Sequence, residues 1–153
     1  MNLIVGLKDQ KVDISDFKIN YLKKYKRFML ISEMKRAHDR IKPYIHRTPV
    51  LTSESLNKLT SSNLYFKSEN FQKSGSFKIR GATNAVLQLS SKILKGDIVT
   101  VSSGNHGAAL SMAVSKRNGS TIVVMPKNTP KIKVNNVIRN GGRIVWCDPS
   151  NQS

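Results

Sequence analysis

Two short stretches carry residues whose types and spacing could do chemistry. In Ser74-Gly75-Ser76-Phe77-Lys78-Ile79-Arg80-Gly81-Ala82, a lysine follows a turn and opens a helical segment. A lysine amine attacks aldehydes once desolvation or neighbouring cations favour its neutral form. Most lysines so placed simply extend into water, so Lys78 says little by itself. In Ser102-Ser103-Gly104-Asn105-His106-Gly107, two hydroxyls and a glycine-permitted turn separate an apolar run from an Ala-rich one. At the carboxyl end of a strand and the start of a helix, free backbone N–H groups form an anion site that suits a carboxylate. An ordinary Ser/Gly-rich helix cap is the alternative for the same residues. The spacing fits no dinucleotide fingerprint, and the chain has no Gly-Lys-Ser/Thr phosphate loop.

The elements that must position these stretches follow from the hydrophobic pattern. Ser32 is expected to cap a helix on which Met34, Ala37, His38 and Ile41 recur at helical spacing, limited by Pro43. Thr48-Pro49-Val50 is extended, and Ser53 caps a short helix running to about Leu59. A strand is expected over 63–68 and a helix over 77–89, with Ala82, Ala85, Val86 and Leu89 on one face. Then come a strand over 97–101, a helix from Asn105 to about Arg117, a strand over 121–125, a helix opened by Thr129-Pro130, and a strand over 144–146. Ile132, Val134, Val137 and Ile138 are expected to line that last helix. Near-continuous apolar strands alternating with helices imply an α/β fold with a parallel, doubly wound sheet. The expected organisation is a basic extension over 1–31, possible as a short strand or as a disordered arm, then residues 32–95, then a β-α-β-α-β unit over 96–153. Asp148-Pro149-Ser150 follows a strand where such a fold calls for another helix.

With the motifs placed, a resemblance is recognisable. Asn70-Phe71-Gln72-Lys73 and the following residues through Ala82 resemble the cofactor-lysine motif of the serine racemase and serine/threonine dehydratase family, pyridoxal-phosphate enzymes of fold type II in the tryptophan synthase β-like superfamily. The Ser102–Gly107 stretch resembles that family's substrate-carboxylate loop. His46-Arg47-Thr48-Pro49-Val50-Leu51-Thr52-Ser53 and Ile144-Val145-Trp146-Cys147-Asp148-Pro149-Ser150 extend the likeness from about residue 33 to the last residues. The resemblance implies that the chain is the N-terminal part of a two-domain enzyme, with residues 32–95 in its large cofactor domain and 96–153 in its small one. It implies that Lys78 holds pyridoxal 5'-phosphate as a Schiff base and removes the α-proton. Phe77 then packs near the cofactor ring and Asn105 bonds the ring hydroxyl. Ser102, Ser103, Gly104, Asn105 and His106 hold the substrate carboxylate. Ser103 stands where racemases carry the serine that protonates from the face opposite the lysine, and many threonine dehydratases have alanine there. ATP is a family effector, and Ser53, Lys73 and Ser74 fall at its nucleotide contacts, although Glu54 and Ala108 depart from that pattern. The family's Mg2+ site and phosphate loop have no counterpart in these residues.

Composition narrows the classes. No apolar run approaches the roughly 20 residues of a membrane-spanning helix. The formal net charge of +17 is spread along the chain; its one dense basic stretch is Lys23-Lys24-Tyr25-Lys26-Arg27. A Lys-rich background accounts for it more simply than a nucleic-acid surface. The single cysteine, Cys147, suits a reducing compartment and is expected to be a buried small hydrophobe. The start of the chain lacks the features of a signal or transit peptide, so the cytoplasm is the expected location. No His/Cys/Asp/Glu cluster has metal-ligand spacing. The enzyme reading is a racemase or ammonia-lyase acting on serine or threonine, homo-oligomeric in its full-length relatives. This chain is expected to be inactive or nearly so. The rival is a non-catalytic module that joins a full-length subunit or, less readily, nucleic acid.

Overall fold

The structure, a computed structural model, describes Ile4–Val5 and residues 30–149. In chain order the strands are β1 (Ile4–Val5), β2 (Val50–Leu51), β3 (Phe66–Lys67), β4 (Asp97–Val101), β5 (Ser120–Pro126) and β6 (Gly142–Cys147). The α-helices are α1 (Ile31–Ile41), α2 (Glu54–Thr60), α3 (Lys78–Leu87), α4 (Ser91–Leu94), α5 (Asn105–Ser115) and α6 (Lys131–Arg139). The basic stretch 23–27 and most of the segment read as an N-terminal extension lie outside the described residues.

The main sheet has the order β1-β4-β5-β6. β4, β5 and β6 are parallel, with Ile98 opposite Thr121 and Val124 opposite Val145. β1 pairs antiparallel with β4, Ile4 opposite Val99. The parallel α/β architecture expected from the sequence is therefore present. Both crossover helices, α5 and α6, pack on the sheet and on each other. They cover the face carrying Ile98, Thr100, Thr121, Val123 and Met125, all buried. On the opposite face Val101 and Val145 stay half exposed, so among the described residues the crossover helices lie on one side only. Gly107 lets α5 rest on β5: a Cβ there would stand 2.9 Å from Val123 Cγ1.

One apolar cluster joins the two halves of the chain. Ile79, Ala82 and Val86 of α3 pack with Ile98 of β4 and with Ala109, Leu110, Ala113 and Val114 of α5. Packing is thus continuous across residues 95 and 96, and a division there is one of sheet membership. The small side chains of Ala82, Ala109 and Ala113 let α3 and α5 approach closely.

Local details differ from the sequence expectation. The α1 cap is Leu30, whose N–H donates to Glu33 Oε2 at 3.2 Å, and Ser32, the expected cap, lies inside the helix. Pro130 stands just outside α6, its carbonyl accepting from the N–H of Lys133 at 2.9 Å. On α6 Val137 is buried and Val134 packs against the core, but Ile132 and Ile138 point outward. Met34 is half exposed, leaving Ile41 as the buried residue of α1. The strand near 63–68 shortens to Phe66–Lys67, paired with β2. Cys147 is half buried rather than fully enclosed.

Candidate active site

The turn that delivers Lys78 is held by side chains that replace missing strand contacts. Gln72 is buried; its Nε2 donates to the His46 carbonyl and its Oε1 accepts from the His46 N–H, both at 2.8 Å. The side-chain amide thereby imitates a paired strand, and it ties the 46–51 segment to the lysine motif. Glu69 adds a clamp. Its carboxylate receives Arg80 Nε at 2.8 Å and Nη2 at 2.6 Å, and the Thr48 hydroxyl donates to it as well. A planar guanidinium meeting a carboxylate through two bonds fixes orientation as well as distance. The Arg80 bonds hold the Glu69 carboxyl at about 2, against an opposing push from burial. Arg80 lies in the first turn of α3, two residues after Lys78, so the clamp sets where that helix begins. Gly75 closes the turn at φ +76, a conformation that side-chain-bearing residues rarely adopt.

α3 and α5 run side by side in the same direction. At one end Arg117, just beyond α5, donates through Nη1 to the carbonyls of Val86 at 2.7 Å and Leu89 at 2.9 Å, capping the C-terminus of α3. At the other end stand Lys78 and His106, one in the first turn of each helix. Burial lowers the His106 pKa, and the Lys78 charge lowers it further. Two positive helix ends, a lysine amine and the Ser102–Gly107 turn are thus gathered at one place, which favours an anion. Lys78 Nζ lies 5.1 Å from the centroid of the Phe77 ring. Both residues are exposed.

Within the turn the serines divide their duties. Ser102 Oγ accepts from the N–H of Gly107 at 3.0 Å and of Gly104 at 3.2 Å. Its hydroxyl is therefore committed to capping α5 and shaping the turn. The N–H groups of Ser103, Asn105 and His106 have no partner among the described residues. The side chains of Ser103 and Asn105 are exposed and make no hydrogen bonds there. Close by in sequence, the Ser76 hydroxyl is buried and unpartnered two residues before Lys78. An accessible amine suits an aldehyde such as that of pyridoxal phosphate, and the free N–H groups of the neighbouring turn suit a carboxylate.

The residues matched to nucleotide contacts are less unified. Ser53 caps α2, accepting from the Leu56 N–H at 3.4 Å. Ser74 is buried, its hydroxyl directed at the Ser76 carbonyl. Lys73 lies beside Lys116, and burial together with that second charge lowers its pKa. Among the described residues no three His, Cys, Asp or Glu side chains are grouped to hold a metal. No helix among them is long and apolar enough to cross a membrane. Sequence reasoning missed Gln72, Glu69, Arg80 and Arg117; their partners are distant in sequence, and only the i+3 spacing within Glu69-Asn70-Phe71-Gln72 hinted at a structured turn.

Comparison with known proteins agrees with this geometry. The sequence profile of the family described as pyridoxal-phosphate dependent enzyme matches residues 41–153. A serine racemase of Arabidopsis thaliana is 54% identical over 123 residues, which make up 80% of this chain and 37% of that protein. A beta-hydroxyaspartate dehydratase of Paracoccus denitrificans is 50% identical over 79% of this chain and 38% of its own length. The structure of maize serine racemase superposes with a TM-score of 0.75 at 46% identity, covering 80% of this chain and 37% of that one. The chain therefore spans little more than a third of the length of these relatives. The matched profile, the shared parallel α/β core and the paired motifs agree, and the chain belongs to the pyridoxal-phosphate-dependent enzymes of fold type II, in their serine-racemase-like group.

Proposed function

We propose that this chain carries the reactive amine and the carboxylate-binding turn of a racemase or ammonia-lyase acting on serine or threonine. The observation that carries the reading is the side-by-side packing of α3 and α5, which sets Lys78 and the Ser102–Gly107 turn at neighbouring N-termini. When bound, pyridoxal phosphate would supply the electron sink that makes the substrate α-proton removable. Lys78 Nζ anchors it and then takes and holds that proton. Asn105 is free to bond a ring hydroxyl, and Phe77 presents an apolar face beside the amine. The unpaired N–H groups of Ser103, Asn105 and His106 receive the carboxylate. The Ser103 hydroxyl is free to return a proton, which supports racemisation; loss of the substrate β-hydroxyl after the same first step gives elimination. The nucleotide reading at Ser53, Lys73 and Ser74 is supported by the paired Lys73 and Lys116 charges alone.

The test is covalent trapping. The chain is mixed with pyridoxal phosphate, reduced with borohydride and mapped by peptide mass spectrometry. Preferential labelling of Lys78 over the other lysines is expected; uniform labelling sinks the assignment. The exposure of Lys78 favours one second reading, a non-catalytic chain that joins a longer homologous subunit. Co-purification with such a subunit, without Lys78 labelling, would select it.

A further inference from the structure

A cation unused by the reading above stands over the Ser102–Gly107 turn. Lys133 lies in the first turn of α6, the helix packed against α5. Its aliphatic stem crosses Gly104: a Cβ built on that glycine would stand 3.7 Å from Lys133 Cδ and 3.9 Å from both Cε and Nζ. The stem fits there at ordinary van der Waals distance and carries its ammonium to the residue that caps α5. Lys133 is exposed, and no ion pair among the described residues includes it.

That position is electrostatically unfavourable for a side chain with no ligand to meet. The first turn of α5 presents the positive end of the helix dipole, with the N–H groups of Asn105 and His106 unpaired. An ammonium beside them is repelled. An anion placed between the ammonium and the N–H groups turns both interactions favourable. Resting the stem on Gly104 lets the charged end stay at the rim of the turn, in water until the anion arrives. Two or three N–H donors with one ammonium match the two oxygens of a carboxylate.

We propose that Lys133 is a substrate-binding residue, whose ammonium pairs with the carboxylate received by the Ser102–Gly107 turn. The proposal rests on the carboxylate reading of that turn and adds a second element to it. The carboxylate is then held from α5 by N–H groups and from α6 by a full charge, so compounds lacking a carboxylate are rejected.

Acetate serves as the probe, titrated into the isotope-labelled chain against chloride at matched ionic strength. The amide resonances of Ser103, Asn105 and His106 report binding without any cofactor. In the unaltered chain they shift saturably. Lys133→Gln raises the apparent Kd about tenfold, the scale of one charge-assisted contact, while Lys133→Arg stays within about twofold of the unaltered chain. High salt narrows the gap between Lys133→Gln and the unaltered chain, because the interaction is a screened charge rather than a packing effect. Equal affinity in Lys133→Gln and the unaltered chain overturns the role of Lys133 alone. Absence of any acetate-dependent shift in the unaltered chain overturns the carboxylate reading of the turn, and this proposal with it.

Discussion

His106 reports most directly on whether the two motifs meet. Its imidazole loses basicity first through burial and then through the charge of Lys78. A folded-state pKa below the ordinary 6.5 means that the fold favours the neutral ring. The associated stability is complete above 6.5 and is lost as pH falls below it, because the unfolded chain takes up the proton first. Removing the Lys78 charge should relieve part of the depression. In Lys78→Met the His106 pKa, followed through its imidazole carbon-bound proton resonance, is expected to rise toward the ordinary value; an unchanged titration would mean that the two side chains do not share a field. The same pair shows what the sequence alone could reveal. The helix starts at Lys78 and Asn105 were legible from the serine and glycine before each, while the roles given to them came from the family resemblance. The commitment of Ser102 to its own turn was not legible, because the order Ser-Ser-Gly does not say which hydroxyl folds inward.

At the level of elements, the strands and helices from 97 to 147 could be read closely because apolar runs and turn residues alternate there without interruption. The arrangement of α3 against α5 could not, since it depends on Arg117 reaching the carbonyls of Val86 and Leu89 and on alanines that permit the approach. The entry to α3 likewise depends on Glu69 meeting Arg80, a pairing that periodicity does not reveal. Glu69 is well shielded, with its side chain 17% exposed and that of Arg80 28% exposed. Its carboxyl sits at about 2, below the ordinary 4.5, so the clamp is intact above 4.5 and is lost as pH falls from there toward 2. Glu69→Gln leaves Arg80 without its ionised partner and should cost about 1–2 kcal/mol at neutral pH. The acid limb of its unfolding curve between pH 4.5 and 2 should be flatter than that of the unaltered chain. Chemical unfolding across that pH range checks both; equal stability at pH 7 would show that the clamp contributes nothing to the fold.

For the molecule as a whole, the site has its amine and its turn, but the surroundings that make such groups reactive are thin. Lys78 is exposed, and the Ser103 and Asn105 side chains have no partners among the described residues. A lysine gains nucleophilic and basic power at neutral pH when water is kept from it, and site electrostatics act strongly only where the dielectric is low. Binding and turnover should therefore separate. The net charge of +17 draws an anionic aldehyde toward the chain, and the paired helix ends direct it to Lys78, so trapping at that residue should succeed. Proton abstraction demands a substrate held rigidly against a dry amine, which the exposed site does not provide. With pyridoxal phosphate and L-serine, the 153-residue chain alone should release ammonia and form D-serine no faster than free cofactor in buffer. Chiral chromatography and an ammonia assay on the same sample give the measurement. Turnover clearly above the cofactor control, abolished in Lys78→Ala, would show that desolvation of the amine is not required and that the two motifs on α3 and α5 suffice for the chemistry.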